Sequence, residues 1–250
     1  MPTPNDDEVM IEVHAAPISP SDLALLITFG GDLSNINISG SGEDTVASMK
    51  IHPAMMKSMK SRLDQPMPAG NEGAGVVVDA GSNVKHLIGK TVGLAGGAMY
   101  SQYICVPAVN CLVMDDETTP AEAASSFVNP MTALSFIETM KMENHSGIVN
   151  TAAASNLGQM LVKICIDDNI PLVNIVRTKE QVELLKNIGA KYVCNTSDEN
   201  FKEPLVTALV ETGATIGFDA NGGGKNGELP GQIFTGLEIA TNSASVDYSR

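Results

Sequence analysis

The stretch from Ile148 to Gly158, Ile-Val-Asn-Thr-Ala-Ala-Ala-Ser-Asn-Leu-Gly, constrains this chain more than any other. A short apolar run ends in small residues and passes at once into Leu157, Met160, Leu161, Ile164 and Cys165, whose spacing is helical. The pattern predicts a strand, a tight turn and the start of a helix, a geometry that holds a pyrophosphate. Free backbone N–H groups and the positive end of the helix dipole point at the phosphates, and small side chains allow the approach. Ala153 and Ser155 stand where glycine is usual, and Gly158 alone remains of the glycine fingerprint. Ser155, Asn156, Leu157 and Gly158 are the expected phosphate-side residues.

The continuation adds to this. Pro171 to Val176 reads as a second buried strand, ending at Arg177. About twenty residues after such a turn, an acidic residue binds a ribose 2′-hydroxyl, whereas an arginine suits a 2′-phosphate. Arg177-Thr178-Lys179 offers two cations around a hydroxyl and no carboxylate. The expected cofactor is therefore NADPH rather than NADH, the competing reading being that Arg177 and Lys179 are solvated residues at a helix start.

Charge narrows the partners. Lys+Arg 15 against Asp+Glu 29 gives a net charge of −14, which argues against an electrostatic nucleic-acid or anionic-membrane surface. Cys105, Cys111, Cys165 and Cys194 form no CxxC pair and no zinc-ribbon spacing, so reduced thiols in a cytoplasmic protein are expected. The acidic N-terminus lacks the layout of a signal peptide, and no apolar run reaches the roughly 20 residues that span a bilayer.

Ahead of the turn, Val9 to Ala16 alternates as a strand with Glu12 and His14 on its wetter face, His14 being read as structural. Leu23 to Ile27 reads as a short helix with Ser21 or Asp22 as cap, and Thr28 to Asp44 as a long irregular loop. His52 to Leu63, with Met55, Met56 and Met59 beside Lys57, Lys60 and Arg62, reads as an amphipathic helix. Its methionine face is either core packing, the commoner case, or the lining of an adaptable pocket. Strands follow at Gly75 to Asp79, Thr91 to Leu94 and Tyr100 to Val106, with glycine turns between them, the texture of a small barrel.

Here a family resemblance enters. Pro68-Ala-Gly-Asn-Glu-Gly-Ala-Gly-Val-Val77 resembles the G-H-E-x-x-G signature of medium-chain dehydrogenases/reductases. Ala15-Ala-Pro-Ile-Ser-Pro-Ser-Asp22, Tyr100 to Ala108 and Asn129-Pro-Met-Thr-Ala133 extend the likeness in the same order. The resemblance implies an α/β protein, a GroES-like β-barrel domain over residues 1–124 followed by an incomplete Rossmann domain with a doubly wound parallel sheet over residues 125–250. It also implies an active site in the cleft between them. The zinc branch of the family uses a Cys in the first segment and the His of G-H-E. Asp22 and Asn71 stand there instead, so no metal site is expected and the chain is similar to the zinc-free NADPH:quinone oxidoreductases and enone reductases.

Two helical pieces broken at Pro130 are expected between Pro120 and Met140. In the family the residue matching Thr132 sits beside the nicotinamide ribose, a helix cap being the alternative. A helix from Lys179 to Asn187, a strand ending at Asn195, a helix from Pro204 to Glu211 and a strand from Thr215 to Ala220 complete the pattern. Asn195 and Asn221 are further expected cofactor contacts, with a bare glycine turn as the alternative at Asn221-Gly-Gly-Gly224. A last helix is expected from Gln232 to Thr241. The resemblance predicts two more strands than the four read here. Family dimers commonly join through that missing edge, so a homodimer does not carry over with it.

Without a metal, a conjugated acceptor such as a quinone or enone is the expected small-molecule substrate, because its carbonyl already spreads the charge arriving with a hydride. Ser19, Asn71 and Thr132 are candidate polar groups of the cleft. The nearest alternative is an enoyl-thioester reductase of the same superfamily. That branch uses a barrel-half tyrosine as proton donor, and none lies between Thr28 and Pro68. A non-catalytic NADPH-binding protein is the alternative from another class.

Overall fold

The computed structural model describes residues 3–23, 26, 32–53, 60, 64–66, 68–220 and 233. The helix expected from His52 to Leu63 with its methionine face, the turn Asn221 to Gly224 and the helix from Gln232 to Thr241 fall wholly or mostly outside them. The chain divides into two compact units, Met1–Val128 and Asn129–Arg250.

Unit 1 is built on a five-stranded sheet. Its strands are β1 (Glu8–Ala15), β4 (Glu72–Ala80), β5 (Thr91–Ala95), β6 (Tyr103–Pro107) and β7 (Leu112–Val113), ordered β6-β1-β4-β5-β7. The central pairings are antiparallel, with Ile11 opposite both Val77 and Ile104. Alternation along β1 and β4 sends Val9, Ile11 and Val77 inward to join Val92, Leu94 and Met99 in one core. Glu12 on the wetter side accepts from the Tyr103 hydroxyl at 3.1 Å and meets the His14 ring at 3.1 Å, and these contacts lower its pKa.

The segment read as an irregular loop is more ordered than expected. Residues 28–31 lie outside the described part, but β2 (Asn37–Ser39) and β3 (Val46–Ser48) pair as a hairpin across Gly40 and Gly42, both with positive φ. Short, fully exposed strands leave no buried alternation in the sequence from which to read them.

Unit 2 carries a parallel sheet of β8 (Ile148–Asn150), β9 (Leu172–Val176), β10 (Tyr192–Asn195) and β11 (Ile216–Phe218), ordered β10-β9-β8-β11. Its helices are α3 (Val128–Met142), which starts at the last residue of unit 1, α4 (Asn156–Asp167), α5 (Lys179–Asn187) and α6 (Lys202–Thr212). Ala133, Ile137 and Met140 of α3 and Leu161 and Cys165 of α4 cover one sheet face, whereas Leu205, Ala208 and Leu209 of α6 cover the other. Covered on both sides, β8 and β9 are buried throughout, and their sequences accordingly run apolar except at Asn150 and Asn174.

The break expected at Pro130 lies elsewhere. α2 (Pro120–Ala123) is capped by Thr119, which exchanges bonds with Glu122, and the interruption falls at residues 124–127. Pro130 is the third residue of α3, and Pro204 the third of α6. A first-turn N–H has no helical partner, so proline marks the start of each helix and breaks neither.

Candidate functional site

The strand order of unit 2 reverses between β8 and β11, which places a crevice at their carboxyl ends. The expected turn lies there. Ser155 caps α4, its Oγ accepting from the Gly158 N–H at 3.2 Å, and the Ser155 N–H donates to the Ala152 carbonyl at 2.9 Å. The amides of Asn156 and Leu157 belong to the first turn of α4, whose N–H groups have no helical acceptor. Gly158 is required sterically, since a Cβ there would collide with the Ala153 carbonyl oxygen. The left-handed position of the turn is Ala152, at φ +50°.

A cleft of about 210 Å³ opens beside the turn, lined among others by Ala152, Ser155, Val176, Arg177, Gln181 and Thr196. Two of the expected residues, Ser155 and Arg177, thus meet in one place. Thr178 and Lys179 do not line it. The Thr178 Oγ caps α5 by accepting from the Gln181 N–H, and Lys179 is exposed at the first position of that helix. Asn195 is buried, with Nδ2 donating to Asp198 at 3.0 Å and Oδ1 accepting from the Ser197 N–H at 3.1 Å, so its amide organises the loop after β10.

Gln181 and Thr196 are lining residues that the sequence reading missed. The Thr-x-x-Gln spacing of 178–181 was a legible signal for the first, since the Gln181 side chain accepts from the Arg177 N–H at 2.9 Å and fixes the start of α5 behind the arginine. Nothing in the sequence marked Thr196. Across the reversal, the Thr151 Oγ donates to Asp219 at 2.7 Å and accepts from the Ala220 N–H at 2.9 Å, joining the turn after β8 to the chain leaving β11. Asn221 lies outside the described residues. Thr132 is half-buried in the second turn of α3, which rules out a cap.

In unit 1, Ser19 and Asn71 converge on one carboxylate. Asp22, 2 % exposed, accepts from the Ser19 N–H and from the Asn71 N–H, each at 2.9 Å, while the Asn71 Nδ2 donates to the Ser21 Oγ at 2.9 Å. Asp22 therefore lies inside α1 (Pro20–Leu23) and reaches back to its start, and is not the cap of a helix beginning at Leu23. Residues 24, 25 and 27 lie outside the described part. The Tyr100 hydroxyl donates to the Pro17 carbonyl at 3.0 Å, and its pKa is raised by burial and then by the Asp22 charge.

The glycines of this region are steric. Gly70 has φ +93° and a Cβ there would lie 2.6 Å from the Tyr100 nitrogen, while a Cβ on Gly75 would collide with the Glu12 carbonyl oxygen. Glu72 between them is buried and accepts from the Val128 N–H at 2.7 Å. Among the described residues no three of His, Cys, Asp and Glu gather as a metal-binding group. Burial pushes the Cys111 and Cys194 thiols up to about 11 and that of Cys165 to about 12.

Residues 5–116 match the alcohol dehydrogenase GroES-like domain. A Mesorhizobium loti protein provisionally named an NADPH:quinone reductase superposes with a TM-score of 0.68 at 27% identity, over 94% of this chain and 61% of that one. The mitochondrial enoyl-[acyl-carrier-protein] reductase of Xenopus tropicalis is 29% identical over 217 residues, 82% of this chain and 52% of the relative. The chain thus carries a GroES-like domain of the alcohol dehydrogenase type over residues 5–116 and resembles the medium-chain dehydrogenases/reductases beyond it.

Its fold is accordingly a GroES-like domain followed by a Rossmann-type α/β domain. The Escherichia coli quinone oxidoreductase, solved with NADPH, shares this fold at a TM-score of 0.62 and 21% identity, over 88% of this chain and 60% of that one. The chain spans about half the length of the curated relatives it matches. Among the described residues no helix is long and apolar enough to cross a membrane.

Proposed function

We propose that this chain is an NADPH-dependent oxidoreductase that reduces a quinone or an enone-type double bond without zinc, with residues 1–124 facing the substrate and residues 125–250 binding the nucleotide. One observation carries the reading: the Ser155-capped turn at the strand-order reversal shares a cleft with Arg177. The residues fit the cofactor. Small side chains at Ala152 and Ala154 leave room for a pyrophosphate against the first turn of α4, and Arg177 stands where a 2′-phosphate is bound in this geometry. Thr132 serves the nicotinamide ribose, and Lys179 adds positive charge near the 2′-phosphate.

When bound, the nicotinamide supplies a hydride. The chain's own residues do the rest. Ser19 and Asn71 are held by the buried Asp22 carboxylate and offer hydrogen bonds to the oxygen of the enolate that forms as the hydride arrives at carbon. Water delivers the balancing proton. Support for zinc independence comes from Asp22, whose two carboxylate oxygens accept from the backbone N–H groups of Ser19 and Asn71, and from an amide at Asn71 where a zinc site needs an imidazole or thiolate. The four free cysteines fit a reducing compartment, the cytoplasm in this reading.

Fluorescence titration with NADPH and NADH tests the cofactor. Arg177→Ala is expected to weaken NADPH by roughly ten- to a hundredfold, the worth of one charge-assisted hydrogen bond, and to leave NADH almost unchanged. Equal losses for both would remove the arginine from the site. Oxidation of NADPH followed with a small quinone, and separately with a 2-enoyl thioester, then tests the substrate. The thioester is the second reading, favoured by the enoyl-[acyl-carrier-protein] reductase relatives.

A further inference from the structure

Arg177 is the first residue beyond β9, past the Val176–Asn195 pair that ends the ladder with β10. Two side chains take up its peptide groups. The Gln181 Oε1 accepts from the Arg177 N–H at 2.9 Å, and the Ser197 Oγ donates to the Arg177 carbonyl at 2.6 Å. Gln181 belongs to the first turn of α5 and Ser197 to the loop after β10, so two separate elements hold one residue.

Both partners are themselves fixed. The Gln181 N–H donates to the Thr178 Oγ at 3.3 Å, which seats it in the capped start of α5. The Ser197 N–H donates to the buried Asn195 amide at 3.1 Å, and the neighbouring Thr196 N–H donates to the Val176 carbonyl at 2.9 Å. The Ser197 hydroxyl therefore reaches Arg177 from a loop that is tied to the end of β9. An arginine side chain has many rotamers, and free backbone torsions beneath it would multiply the conformations lost when it takes an anion. Holding the backbone beforehand removes part of that loss.

We propose that Ser197 and Gln181 are positioning residues that set the preference for a 2′-phosphate by fixing the backbone of Arg177 at the cleft. The proposal rests on the reading of Arg177 given above. Ser197 is the sharper case. It is exposed and is not one of the residues that line the cleft, so its influence on a nucleotide passes through Arg177. Gln181 does line the cleft, but its Oε1 is committed to the Arg177 N–H.

Fluorescence titration of the full chain with NADPH and NADH tests the proposal through the ratio of the two affinities. Ser197→Ala is expected to lower the preference for NADPH about fivefold, the worth of one neutral hydrogen bond, and to leave NADH unchanged. Ser197→Thr keeps the hydroxyl and should restore the ratio. Gln181→Met, similar in length but without the acceptor, should lower it as Ser197→Ala does, and it carries the test should Ser197→Ala not fold. Combined with Arg177→Ala, neither substitution should change the ratio further, because the group that they position is gone.

A fivefold loss that persists without Arg177 would overturn the proposal, as would equal losses for NADPH and NADH, the signature of a merely structural contact. An unchanged ratio in Ser197→Ala and Gln181→Met, with a lowered one in Arg177→Ala, would overturn it and spare the arginine. An unchanged ratio in Arg177→Ala itself would remove the arginine from the site and the two positioning residues with it, so the two failures are told apart.

Discussion

Two glycine-bearing segments carry this molecule, and they use the residue differently. In the Gly70-Asn-Glu-Gly-Ala-Gly75 segment of unit 1, both Gly70 and Gly75 are packed against backbone, and no side chain fits. In the turn of unit 2 only Gly158 has that role, whereas the left-handed position is filled by Ala152 at φ +50°. Steric need and conformational preference are thus separable. A chain can abandon glycine where the cost is torsional, but not where two backbones touch.

Substitutions can break or sharpen this contrast. The largest effect is expected for Gly75→Ala, because the new methyl would force β1 and β4 apart. A loss of about 3 kcal/mol or more is expected in urea denaturation, and a loss below about 1 kcal/mol would show that the strands yield easily. Asp22→Ala should cost about 3 kcal/mol, since it strands the N–H groups of Ser19 and Asn71 together. Its signature is loss of amide protection at both residues in hydrogen exchange.

Gly158→Ala comes next, at about 1–3 kcal/mol, and unlike the first two it should weaken NADPH as well, because the colliding group belongs to the turn proposed to hold the pyrophosphate. Unchanged nucleotide affinity would separate the turn from the ligand. Ala152→Gly should move stability the other way, by about 0.5–1 kcal/mol, the left-handed strain relieved less the extra entropy of an unfolded glycine. A raised thermal midpoint checks it, and a lowered one would mean that the methyl of Ala152 is packed and needed.

Much of unit 2 was legible because β8 and β9 are buried on both faces and α4 and α5 are amphipathic, so that periodicity and burial coincide there. The turn was legible for the same reason, together with its small residues. Legibility failed where a residue has two meanings. Pro130 reads as a breaker, and only its distance from a start that the sequence does not mark, at Val128, makes it an initiator. Asp22 reads as a local cap, yet half of its bonding goes to Asn71, 49 residues away. Thr196 reaches the cleft only because β10 lies beside β9, a fact of sheet order that local pattern does not contain. Asn174 stands out within Leu172–Val176, but its unpaired oxygen becomes visible only when the surrounding space is known.

The Thr151 hydroxyl gives one bond to Asp219 and takes one from Ala220, beyond the last paired residues of β8 and β11. It works as a rivet placed past the end of a seam, where the two strand tips would otherwise splay. The turn after β8 and the segment after β11 therefore form one mechanical part, and a load on either is borne by both. A change in the turn after β8 is therefore expected to shift Asp219 and Ala220 with it.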